Sequence, residues 1–136
     1  MRRSLAPAPA ILSFLAFDFG TKRVGVASGN SLTRSAAPLG TIATQGEARV
    51  EAIGRLVAEW RPAALIVGVP LHPDGASHLS TERARRFGRQ LCARFGLPVH
   101  EVDERYTTTE ARAGGADDLD AAAAAIILEQ FLAGAG

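Results

Sequence analysis

The chain has one cysteine, Cys92, among 136 residues. No intrachain disulfide and no thiolate zinc site can be built from it, and a reducing compartment is the simplest inference. Its neighbours Leu91 and Phe95 place Cys92 in the expected core. A charge of one sign is lacking too, since 15 basic residues against 14 acidic ones leave a net +1. Any nucleic-acid contact must therefore be local, and arginines do cluster in "TERARRFGRQLCARFG", residues 81–96, where a solvated helix face is the alternative. No apolar run reaches the roughly 20 residues that span a bilayer. His72, His78 and His100 lack the spacing of a metal site, and Thr21 and Ser28 have no histidine–aspartate relay for nucleophilic chemistry. Internal repeats and linkers are missing as well.

What is present fits one globular domain. The composition is 47% hydrophobic and 21% charged, and the length suffices for one sizeable core but not two. The first residues, "MRRSLAPAPAILSFLAFD", imitate a signal peptide, but Asp18 closes the apolar patch without a small-residue cleavage site, so export is not expected. Residues 1–9 are expected as a flexible tail and residues 10–136 as a single domain.

The order of elements reads βββαβαβαα. Residues 14–18 form a buried strand, residues 20–23 a turn, and "VGVAS" at 24–28 the second arm of a hairpin. "PLGTIAT" supplies a third strand near 38–42, before the breaker Gly46. Val50, Ile53, Leu56, Val57 and Trp60 recur at helical spacing over 47–60, with Pro62 as the stop. "ALIVGVP" runs apolar without alternation, as in a central strand covered on both faces, and Gly68, Pro70 and Gly75 shape the loop above it. A second helix at 80–95 gathers Ala84, Phe87, Leu91 and Phe95 and stops at Gly96 and Pro98. A strand at 99–103 precedes a capping box, Thr107 with Glu110, that opens a short helix. Asp117 and Asp118 stand at the cap of the last helix, 119–132, which is rich in alanine and can pack on its own sheet or on a partner. This order describes a mixed sheet between helical layers, whose crevice lies beyond the carboxyl ends of the parallel strands.

Acids end the strands that meet there. Asp18 closes the first strand, Asp103 and Glu104 close the last, and Asp120 sits in the first turn of the final helix, where the macrodipole favours an anion. Clustered carboxylates repel unless a cation compensates, and a hard divalent ion held by one or two carboxylates does so. Asp18 can equally serve its turn, Glu104 pair with Arg105, and Asp117, Asp118 and Asp120 act as ordinary cap residues.

Four stretches in collinear order, "FDFGTKRVGVASGN", "IVGVPLHPDG", "FGLPVHEVDERYTTTEAR" and "LDAAAAAIILEQFL", resemble the YqgF family of Holliday-junction-resolvase-like proteins, also described as pre-16S rRNA nucleases. The resemblance covers residues 14–132. It implies an α/β RNase H-like fold, a mixed five-stranded sheet with helices on both faces. It also implies a cytoplasmic, metal-dependent endonuclease that processes the 5′ end of pre-16S rRNA. The family's strand-one aspartate falls on Asp18, the glutamate of its Asp-Glu-Arg motif on Glu104, and its helix aspartate on Asp120, as catalytic residues and ligands of Mg²⁺ or Mn²⁺. Those ions would activate a water and stabilise the leaving oxygen of an in-line displacement. Thr21, Lys22, Arg23 and Arg105 become the expected phosphate contacts.

One departure bears on substrate grip. Where the family carries a longer, basic connection before its last helix, this chain has the short, acidic "AGGADDLDA". A non-catalytic module that binds RNA or a ribosome precursor, and a nuclease of branched DNA, are thus the alternatives to the pre-rRNA nuclease. "DFGTKRVGVA" also looks like the first phosphate hairpin of actin-like ATPases and sugar kinases, but those need a second domain to close over the nucleotide. Oligomeric state is not legible in these residues.

Overall fold

The computed structural model describes residues 11–71, 74, 78–104 and 118–134. Its elements are β1 Ser13–Phe19, β2 Val24–Asn30, β3 Ala36–Ile42, α1 Gly46–Trp60, β4 Ala64–Val69, α2 Leu79–Phe95, β5 Val99–Asp103 and α3 Leu119–Gly134. The tail at 1–9 and the short helix opened by Thr107 and Glu110 fall outside the described residues. The strands form one sheet in the order β3-β2-β1-β4-β5. β1 pairs antiparallel with β2 and parallel with β4, and β4 pairs parallel with β5. The hairpin and the crossovers expected from the sequence are therefore both present. The N-terminal half is antiparallel because a four-residue turn joins β1 to β2; the other half is parallel because helices make the connections.

Period-two alternation sorts β1 between two cores. Leu15 and Phe17 face α1 and α2, where they join Val24, Val26, Ile53, Leu65, Val67, Phe87 and Leu91. Phe14 and Ala16 face the other way, with Ala64, Ile66, Val102, Ile127, Leu128 and Leu132 under α3. Each fully buried Leu, Ile or Phe contributes roughly 1.5–3 kcal/mol, so both cores are needed. By the same alternation Asp18 lies on the α3 face, two residues past Ala16, and Glu104 follows Val102 onto that face.

The alanines of α3 let it sit close to the sheet. Ala124 and Ala125 pack on Ala27 of β2, and Ala36 of β3 adds to the patch. The final helix is thus committed to its own sheet.

Helix ends follow the expected chemistry. Gly96 stops α2 in the left-handed region at φ 67°, its amide donating to the Cys92 carbonyl. Asp118 caps α3, accepting from the Ala121 amide at 3.0 Å. Cys92 is a correction: it is exposed, because it stands about 100° round the helix from buried Leu91 and off the apolar stripe. Among the described residues no helix is long and apolar enough to cross a membrane.

Candidate active site

Three parallel strands end on one edge, and the acids gather there. Asp18 is the penultimate residue of β1, and Glu104 directly follows β5. The two are separated by β4, whose residue between them is Gly68. A Cβ built on Gly68 would stand 2.9 Å from the Glu104 Cγ and Cδ and 2.4 Å from the Ile127 Cδ1. Gly68 is therefore part of β4 and makes room for Glu104, rather than shaping the loop above the strand.

The two carboxyls face each other across the end of β4 and shift each other's titration. Burial, the facing Asp18 carboxylate and the hydrogen bond to it push the Glu104 carboxyl up to about 8. Asp18 is also raised, mainly by burial, while the bond from Glu104 opposes that rise and the Asp120 charge adds to it. Glu104 is accordingly the protonated donor and Asp18 the accepting carboxylate. Adjacent half-buried carboxylates resist double ionisation, which is the physical cause of both shifts.

Asp120 is positioned by backbone proximity. A Cβ on Gly25 would lie 1.9 Å from the Asp120 carbonyl oxygen, so only glycine lets the first turn of α3 settle on β2. The Asp120 side chain meets Arg23, Oδ2 to Nε, at 2.9 Å. Two of the three expected acids thus share a hydrogen bond, and the third lies near enough to act on Asp18 while bridging to Arg23. Among the described residues no group of three or more His, Cys, Asp or Glu side chains is arranged to hold a metal.

The expected phosphate contacts divide similarly. Thr21, Lys22 and Arg23 line a shallow depression with Gly20 and Asp120, of about 270 Å³. Arg105 lies outside the described residues. Asp118, from the acidic connection, is occupied: Thr41 donates to it at 2.5 Å, and this bond with that from Ala121 holds its carboxyl below the ordinary range.

Sequence reasoning missed the support of the β1–β2 turn. Arg49, in the first turn of α1, is only 8% exposed. Its Nε donates to the Thr44 carbonyl at 2.9 Å and its Nη2 to the Thr21 carbonyl at 3.1 Å, with the guanidinium 5.7 Å over the Phe19 ring. Burial lowers its pKa from the ordinary arginine value, and carbonyl dipoles and an aromatic face satisfy it in place of a carboxylate. An arginine in an acidic helical first turn carries no signal of this; Gly25, a glycine inside a strand, does carry one.

A hard cation suits this donor set. The converging groups are carboxylate oxygens, half-buried at one edge of the sheet. A mixed sheet between helical layers with an acid pair on its carboxyl edge defines an RNase H-like domain, and a solved structure supports the fold. T. thermophilus RuvC in complex with Holliday junction substrate aligns with a TM-score of 0.57 at 16% identity, over 91% of this chain and 95% of that one. The chain belongs to the RuvX family, the one its motifs resemble under the name YqgF: the family model, described as Holliday junction resolvase, matches residues 12–134. A Polaromonas protein is 63% identical over 95% of this chain and 96% of its own length, and a Paraburkholderia phytofirmans protein 56% identical over 94% and 92%. Both carry the name "Putative pre-16S rRNA nuclease".

Proposed function

We propose that this protein is a divalent-cation-dependent endonuclease that hydrolyses phosphodiester bonds in the 5′ precursor segment of 16S rRNA. The observation that carries this reading is the half-buried Asp18–Glu104 pair, joined side chain to side chain at the carboxyl edge of the sheet. The names of its relatives supply the substrate. Asp18 and Glu104 would hold Mg²⁺ or Mn²⁺, and Asp120 would join them once Arg23 turns to a substrate phosphate. When bound, the cation supplies charge neutralisation and Lewis acidity at the phosphoryl oxygens.

The remaining roles belong to the chain's own residues. Thr21, Lys22 and Arg23 present a turn with a hydroxyl and two cations beside the acids, fit to orient a phosphate. Arg49 fixes that turn from beneath. Arg105 is assigned to the same phosphate track from its motif alone. Residues 10–136 act as a single nuclease domain, and with one cysteine and an RNA substrate the cytoplasm is the compartment this reading assigns.

The family description favours a second reading, cleavage of branched DNA, and one experiment separates the two. Purified protein is incubated with a pre-16S 5′ fragment and with a four-way DNA junction, each in Mg²⁺, in Mn²⁺ and in EDTA. The expected result is cutting of the RNA with either metal, none in EDTA, and loss of at least a thousandfold in rate in Asp18→Asn with its fold retained. Junction cutting alone would move the assignment to DNA, and no cutting of either substrate would leave a binding module.

A further inference from the structure

Arginine is concentrated in one element that the acidic edge does not use. α2 carries Arg83, Arg85, Arg86, Arg89 and Arg94 against one acid, Glu82, in a chain whose net charge is only +1. Packing decides which of these cations remain available. The helix buries Thr81, Ala84, Phe87, Gly88 and Leu91, which puts Arg86 and Arg89 on the opposite crest and Arg83 on its flank. At the lower end Arg94 pairs with Glu47 at 2.8 Å and also feels Glu51. On the β5 side Arg85 pairs with Glu101 at 3.3 Å. Arg83, Arg86 and Arg89 are exposed and make no ion pair among the described residues.

Arg83 and Arg86 stand in the half of α2 nearer the carboxyl edge and Arg89 just past its middle, on the sheet face opposite α3. The Thr81 hydroxyl donates to the Pro70 carbonyl, which pins the first turn of α2 to the carboxyl end of β4. At about 1.5 Å per residue, Arg83 to Arg89 then lie roughly 6–15 Å along the helix from its start. They repel one another at spacings of three, a mild cost against which the helix sets a single acid, Glu82, four residues before Arg86. Neighbouring α1 is no alternative path, since Glu47, Glu51 and Glu59 line its exposed side.

We infer that the Arg83–Arg86–Arg89 face of α2 is a second nucleic-acid contact, which grips the phosphate backbone of an RNA duplex flanking the segment held at the acids. The pairing of Arg85 with Glu101 and of Arg94 with Glu47 leaves Arg83, Arg86 and Arg89 as the cations of this grip. The inference rests on the nuclease reading for where the substrate runs, and binding is measured apart from cutting.

The test is fluorescence anisotropy of a labelled RNA duplex in EDTA across a salt series. It compares wild type, Arg83→Gln/Arg86→Gln/Arg89→Gln, and the control Arg55→Gln on α1, each checked for an unchanged thermal melt. The triple variant should lose on the order of tenfold or more in affinity, and its dependence of log K on log salt should become shallower by about two to three. Arg55→Gln should bind as wild type does. Wild-type affinity and salt slope in the triple variant, an equal loss in Arg55→Gln, or no duplex binding by wild type would overturn the inference. A grip lost in the triple variant of a protein that never cuts would uphold this contact and refute the nuclease reading.

Discussion

At the scale of single residues, the facing carboxyls of Asp18 and Glu104 tie stability to pH. Burial and the facing Asp18 carboxylate push the Glu104 carboxyl up to about 8 in the folded chain, against 4.5 for an ordinary glutamate. Between those values the folded metal-free protein holds more protons than the unfolded chain, so stability falls as pH rises through the window and levels off above it. Thermal melts in EDTA should therefore move to lower temperature from pH 5 to pH 8.5. Glu104→Gln, which cannot ionise, should flatten most of that slope, and a slope unchanged by the substitution would detach the effect from this pair. Mg²⁺ should raise the melting temperature more at pH 8.5 than at pH 5, because ionised carboxylates are what it binds.

The same residues show what was legible in advance. Asp18 stood out because an acid ended an apolar run before a Gly-Thr-Lys turn, and strand alternation alone carries it to the α3 face. Glu104 followed from its place after a strand. The state of the pair was not legible, since it depends on β4 bringing the two strand ends together and on Gly68 leaving space. Arg49 was illegible for a similar reason: its partners, Thr21 and Thr44, are carbonyls that only the tertiary fold brings near. The exposure of Cys92 is not legible from buried Leu91 beside it, because adjacent residues of a helix lie about 100° apart.

At the scale of elements, the seating of α3 on β2 sets where Asp120 lies. Gly25 and Gly54 make a paired comparison. Gly25→Ala forces a methyl group into the α3 backbone, where nothing can yield without moving the helix. It should cost about 1–3 kcal/mol or more in urea unfolding and lower metal affinity along with it. Gly54→Ala, inside α1, places its methyl 3.4 Å from the Phe95 ring edge, an ordinary contact. It should be neutral or stabilise by up to about 1 kcal/mol through helix propensity. Equal effects from the two would mean that backbone proximity does not seat α3. The order and type of the elements were readable from periodicity, whereas the choice of α3 between its own sheet and a partner was settled by small residues on both sides, Ala124 and Ala125 on Ala27.

At the scale of the whole molecule, charge is sorted by place although the composition nearly balances. A net +1 resolves into an acid pair at the carboxyl edge, a cationic turn beside it and an arginine face on α2. The short acidic connection before α3 ends in Asp118, which caps the helix and accepts from Thr41, so that acid serves the fold.

The central claim is that Asp18 and Glu104 form a divalent-cation site, and calorimetric titration of Mn²⁺ at pH 7.5 tests it most directly. Run in two buffers of different ionisation enthalpy, it reads affinity and proton release together. Wild type should bind Mn²⁺ with release of a proton, and Asp18→Asn should lose at least a hundredfold in affinity while keeping its fold. Binding of equal strength in Asp18→Asn, or binding by wild type without proton release, would contradict the account.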